Sequence, residues 1–217
     1  MNRAIIIAIC MLIGTMFSVP ISVAQEHEAY SHYDEATFMD MDFEPNIATP
    51  EVPRENHLLI TRYVKKIANS LKSRYTVDLM REGEVMVITI PTDELFLPND
   101  TLLYSTSGPL LAGLEKILAD PYMWKLVIAL HTDDTGSEYY REFLSRNRLN
   151  SVYDWLMDRM DAGHLPEDLI VIPFSMASSE PVLPNDTRKK RSKNRRLELY
   201  FVPGPEMIEK ASRHALF

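Results

Sequence analysis

The stretch Leu126-Val127-Ile128-Ala129-Leu130-His131-Thr132-Asp133-Asp134-Thr135-Gly136-Ser137 decides the architecture. Apolar residues run unbroken from Leu126 to Leu130 and give way at once to a polar loop. A short apolar run of this kind reads as a strand covered on both faces. The loop then opens a long helix, Ser137 to about Met160, ended near Gly163. A polar loop between a strand's C-terminal end and a helix N-terminus is a common ligand position. The unpaired N–H groups of a helix start favour anions there.

The helix itself carries an oddity. Leu144, Arg148, Val152 and Leu156 are spaced by four and share one face. Three of these side chains suit a core and the fourth is a guanidinium. A charge on a packing face either finds a partner or reaches past the contact to water. Two readings follow for Arg148. It snorkels at the edge of the helix–sheet contact, or it pairs with a carboxylate, that of Asp133 or of a ligand.

Working outward, Ile60, Tyr63, Val64, Ile67 and Leu71 repeat at helical spacing. Thr76–Met80 and Val85–Ile90 read as two strands joined by Arg81-Glu82-Gly83-Glu84, a hairpin connection. Residues on both faces of the second strand are largely apolar, so it too should be covered on both sides. Leu110, Leu111, Leu114, Ile117 and Leu118 mark a helix closed by Asp120-Pro121. Leu169–Phe174 and Leu197–Val202 are further strands, the last stopped by Pro203-Gly204-Pro205. Trp155, three residues past Val152, belongs to the core, while Trp124 suits either a core or an edge position. Strands alternating with helices give an α/β layer, an α+β sandwich with two helices packed on a mixed sheet.

The N-terminus reads as a secretory signal peptide. Arg3 is basic, Ala4 to Met16 is almost wholly apolar, and Ser22-Val23-Ala24 offers small residues before Gln25. The expected organisation is therefore a signal peptide over 1–24 and an acidic, Pro-containing linker over 25–54. A helix over 55–74, a folded domain over 75–204 and a tail over 205–217 follow. The linker is aperiodic and rich in Asp, Glu, Met and Pro, which favours an extended chain. Tyr30, Tyr33, Phe38 and Phe43 within it are candidate anchors for a partner complex.

Charge and residue usage exclude several classes. The formal net charge of −8 disfavours nucleic acid as a partner. The one Cys, Cys10, lies inside the leader, so the mature chain has no disulfide. Beyond the leader, no apolar run approaches the length of a transmembrane span. His131, Asp133 and Asp134 are too close in sequence to converge on a metal, and no nucleophile motif is present. The expectation is a non-catalytic protein with no metal and no cofactor. Arg188 to Arg196 holds Arg188, Lys189, Lys190, Arg191, Lys193, Arg195 and Arg196, a solvated basic face or a local attraction for anions.

Four pieces in order carry a family resemblance. They are Phe96-Leu97-Pro98-Asn99-Asp100, then His131 to Ser137, then Leu144-Ser145 with Arg148, then Asn194-Arg195-Arg196-Leu197-Glu198. Together, over roughly Tyr75 to Pro203, they resemble the C-terminal domain of the OmpA family, with its βαβαββ core. The resemblance implies non-covalent binding of the peptide stem of peptidoglycan, mainly its diaminopimelate, on the periplasmic side of an outer membrane. Asp133 would take the ligand's ammonium and Arg148 its carboxylate, a task for a planar fork. The implied binding set is Asp133, Arg148, Thr132, Thr135, Gly136, Arg141 and Arg196. Three positions depart from the family pattern. Arg141 stands where Asn is usual, Leu130 where Gly is common and Leu149 where Ala is usual. They leave open an interaction or scaffold protein with a degenerate domain, its partner held by the 25–54 segment. A flagellar-type stator with the same fold would need a membrane acid, and Ala4 to Ile21 contains none.

Overall fold

The computed structural model describes residues 33–217; the expected leader, its cleavage after Ala24 and Tyr30 lie outside the described residues. Five strands form one sheet: β1 (Thr76–Met80), β2 (Val85–Pro91), β3 (Trp124–His131), β4 (Val171–Ala177) and β5 (Arg196–Pro203). Their spatial order is β1-β2-β5-β3-β4, with β3 and β4 parallel and the other pairs antiparallel. Only short helical pieces separate the other consecutive strands, but α5 (Glu138–Asp161) supplies the long crossover that a parallel β3–β4 pair requires. From β2 onward the order is the expected βαβαββ with one short helix added between the last two strands, α6 (Arg188–Asn194).

Strand periodicity sorts the side chains. Trp124, Leu126, Ile128 and Leu130 of β3 join Leu197, Leu199 and Phe201 of β5 in the main core. That core is closed by α3 (His57–Leu71) through Ile60, Val64 and Ala68, and by α5 through Leu149, Val152 and Leu156. Trp124 is a core residue, 2% exposed, and Trp155 packs half-buried against the same cluster. The helix expected over Leu110–Leu118 is regular only in α4 (Gly108–Ala112) and continues as turns. At Gly113, where the regular helix ends, a Cβ would meet the Tyr75 hydroxyl at 2.2 Å, so a side chain there would displace Tyr75.

The segment expected to be an extended linker is folded from Tyr33 onward. Asp34 caps α1 (Glu35–Met39) by accepting from the Thr37 N–H at 2.8 Å. A second short helix, α2 (Phe43–Ala48), follows. Both pack on the sheet face opposite the main core. Phe38 and Ile47 are buried, and the Phe43 ring meets Phe174 at 5.2 Å and Tyr200 at 5.4 Å, edge to face. The aromatic residues Tyr33, Phe38 and Phe43, read as anchors for an external partner, are instead spent on the chain's own sheet. This strap covers the second face of β3, β4 and β5, so β3 is buried on both sides. The expected tail over 205–217 is packed on the domain: α7 (Pro205–Ser212) buries Met207 and Ala211, and Asn56 Nδ2 donates to the Ile208 carbonyl and the Ser212 hydroxyl.

One charge lies under the strap. Lys125 is completely buried in β3; its Nζ donates to the Asn46 carbonyl at 2.7 Å and Asn46 Oδ1 at 3.2 Å. It also sits 3.7 Å from the centre of the Phe38 ring. Burial, with the neighbouring Arg81 charge, lowers its pKa from 10.5 to about 7. Because the folded value is depressed, the unfolded chain holds the extra proton between pH 7 and 10.5, and stability from this group rises across that window. Lys125→Met should therefore be most stabilising, relative to the parent, at or below pH 7, with the advantage shrinking towards pH 10.5. Chemical denaturation of both proteins across that range checks this; an advantage that grows with pH would contradict it.

Candidate functional site

The polar loop Thr132–Ser137 sits where β3 ends and α5 begins, at one end of the sheet. Ser137 caps α5 by accepting from the Tyr140 N–H. Gly136 is at φ +86, and a Cβ there would meet the Tyr140 ring at 2.9 Å, so only glycine fits this turn. Across from it stands the lobe Phe96–Tyr104, closed by a Phe96–Leu103 bridge. Tyr140 Oη meets Asn99 Oδ1 at 3.0 Å and ties the two walls together.

Between these walls lies a cleft of ≈ 490 Å³. Thr132, Asp133, Thr135, Arg141 and Arg148 all line it, together with Asp93, Tyr104 and Arg195. Asp133 is 6% exposed; its Oδ1 accepts from the Thr135 N–H at 2.9 Å and its Oδ2 from Arg195 Nη1 at 2.7 Å. Burial alone would raise this carboxyl, but the bonds from Arg195 and Thr135 outweigh it and hold the pKa below 3.8. Asp133 is thus an anion at neutral pH.

Arg148 resolves the oddity on α5. It is 4% exposed, donates from Nε to the Asp100 carbonyl at 2.8 Å and from Nη2 to the Leu97 carbonyl at 3.0 Å, and covers the Phe96 ring at 4.9 Å. It neither snorkels nor pairs with Asp133. It pins the facing lobe through backbone oxygens and keeps a charge at the cleft wall. Burial lowers its pKa from 12.5, so the cation is held at a cost that a ligand carboxylate would offset.

Neither group is saturated. A carboxylate has about four acceptor positions and a guanidinium five N–H donors. Asp133 accepts from Arg195 and from both the N–H and the hydroxyl of Thr135, which leaves one acceptor position, and Arg148 uses two of its donors. Thr132 Oγ1 is buried on the cleft wall with no partner.

No family model matches the sequence, and no curated protein matches it. Among solved structures, a putative MotB-like protein from Desulfovibrio vulgaris is similar at 21% identity and a TM-score of 0.52, covering 69% of this chain and 93% of that one. The cell wall anchor of the T6SS from Pseudomonas aeruginosa has 23% identity and a TM-score of 0.49, covering 66% and 96%. The periplasmic domain of Helicobacter pylori MotB has 20% identity and a TM-score of 0.47, covering 64% and 87%. The chain has the OmpA-like C-terminal fold.

On this OmpA-like frame the three departures have concrete outcomes. Leu130 and Leu149 point into the main core and do not line the cleft. Arg141 braces the loop instead, donating from Nη1 to the carbonyls of Gly136 at 2.7 Å and Asp134 at 3.4 Å. Gly136 shapes the loop without lining the cleft.

Arg196 departs from its expected place. It is the first residue of β5, paired with His131 across the ladder, and the alternation of the strand turns it to the strap side. There it donates to Glu198 Oε1 at 2.7 Å, beside Tyr200 Oη at 2.7 Å from Glu198 Oε2. His131 Nε2 lies 3.0 Å from the same oxygen, without hydrogen-bond alignment. Burial raises the Glu198 carboxyl, but these contacts win and bring it to about 2. The cleft receives Arg195 instead, one residue earlier and outside the strand. Arg195 bridges two carboxylates, Asp133 and Asp93, the latter through both Nε at 2.9 Å and Nη2 at 2.5 Å. Strand parity was the signal in the sequence: if Leu197 faces the core, Arg196 cannot face the same way.

Proposed function

We propose that the protein binds the peptide stem of peptidoglycan non-covalently through this cleft, and so anchors the envelope or a partner complex to the cell wall. One observation carries the reading: an anion, Asp133, and a cation, Arg148, line one open cleft and both keep hydrogen-bonding capacity. The end of a diaminopimelate side chain is an amino-acid zwitterion, which requires such a pair. Its ammonium goes to Asp133 and its carboxylate to the remaining N–H groups of Arg148. Thr132 Oγ1 and the Thr135 hydroxyl stand beside them as further partners. The role is binding rather than catalysis, performed on the periplasmic side of an outer membrane or at the wall. Among the described residues no helix is long and apolar enough to cross a membrane.

Each charge-assisted bond contributes about 1.5–3 kcal/mol before ordering costs. A single site of this size then gives micromolar affinity, and many sites on a polymeric wall add avidity. Asp133→Ala should abolish co-sedimentation of the purified protein with isolated sacculi while leaving the far-ultraviolet spectrum unchanged. Sedimentation of the variant at the parent's level would remove Asp133 from the site.

A further inference from the structure

The cleft is a positive island on a chain of formal charge −8. Five arginines, Arg141, Arg148, Arg188, Arg191 and Arg195, face only two carboxylates, Asp93 and Asp133. Arg195 alone takes both of those carboxylates. The other four have no carboxylate within 4.0 Å among the described residues: Arg141 and Arg148 reach backbone carbonyls, and Arg191 donates from Nη1 to the Asn185 carbonyl at 2.9 Å. Two polar atoms on the cleft wall are buried and unpartnered, the Thr132 hydroxyl, in a residue 5% exposed, and Arg141 Nε. A buried donor without an acceptor is costly unless a ligand supplies one.

A single amino-acid zwitterion is neutral and leaves this excess of charge unanswered. We infer that the cleft has a second anion subsite, formed by Arg141 and Arg191 with Arg188 at its mouth, which takes a further free carboxylate of the same ligand. The inference rests on the stem-peptide reading and sharpens it. The ligand is a stem whose carboxyl next to diaminopimelate is free rather than amidated. A carboxylate accepts charge-assisted bonds from the guanidinium groups, roughly twice as strong as those to a carboxamide. The carboxamide also brings N–H donors that the arginines cannot accept.

The test is calorimetric titration of two diaminopimelate tripeptides into the purified protein. They differ only in whether the carboxyl adjacent to diaminopimelate is free or a carboxamide. The free acid should bind about tenfold tighter, and added salt should narrow the gap because Arg188 is exposed. Arg141→Gln combined with Arg191→Gln should bind both peptides alike, near the weaker affinity. Equal binding of the two peptides to the parent, or undiminished discrimination by the double variant, overturns the second subsite and leaves the stem-peptide reading intact. Binding of neither peptide overturns both.

Discussion

Arg148→Ala is expected to lose diaminopimelate peptide binding by about a hundredfold and to destabilise the protein by about 2–4 kcal/mol. The two effects have separate causes. In the proposed site the guanidinium is the fork that takes the ligand carboxylate, and losing two charge-assisted bonds costs about 3 kcal/mol or more. Stability falls because the Asp100 carbonyl loses its donor, the Leu97 carbonyl keeps only the Asp100 N–H, and the Phe96 ring loses its cover. The loop is near water, which limits the penalty to less than that of a deeply buried pair. Arg148→Lys separates the causes further. A lysine keeps the charge but cannot donate to two carbonyls and a carboxylate in one plane. It should recover little binding. Thermal melting and titration of both variants measure this, and an Arg148→Lys variant with parental affinity would show that only charge is used.

Asn46→Ala should cost about 3–5 kcal/mol and release the strap. Asn46 is completely buried and connects three parts of the chain. Its Nδ2 donates to the Phe38 carbonyl at 2.7 Å and the Met41 carbonyl at 3.0 Å. Its Oδ1, with its own carbonyl, receives Lys125. Truncation leaves the Met41 carbonyl without its donor, the Phe38 carbonyl with only backbone donors such as the Met41 N–H, and a buried amine with one acceptor fewer. Proteolysis should then cut between residues 33 and 54 well below the temperature at which the sheet melts. Titration of the same variant should still show ligand binding, because strap and cleft lie at different parts of the sheet. A strap that stays protease-resistant would mean that Phe38, Phe43 and Ile47 hold it without Asn46.

The contrast between these two sites shows what a sequence reveals. The β3–loop–α5 passage was legible because each step has a local signature: an apolar run, a polar loop with glycine, and residues spaced by four. Spacing by four marked Arg148 as unusual, but its joint role with Asp133 is what the family resemblance implies, and its partners were not legible, since backbone carbonyls carry no side-chain signal. The strap was not legible. Helices of five and six residues are too short to establish a period, and Lys125 meets Asn46 across 79 positions of sequence. Its composition, acidic and rich in Pro, argued for an extended chain, and tertiary contacts overrode that preference. The exchange of Arg196 for Arg195 was a matter of parity. One residue's shift at a strand edge moves a side chain to the opposite face.

In the proposed function, Asp133 and Arg148 together hold one amino-acid zwitterion in the cleft. Calorimetric titration of a diaminopimelate-containing muropeptide into the parent and into Asp133→Asn tests it most directly. The parent should show one site of micromolar affinity, and the variant, which removes the charge but keeps the shape, a loss of about tenfold or more. Parental affinity in Asp133→Asn, or no heat of binding in the parent, would contradict it.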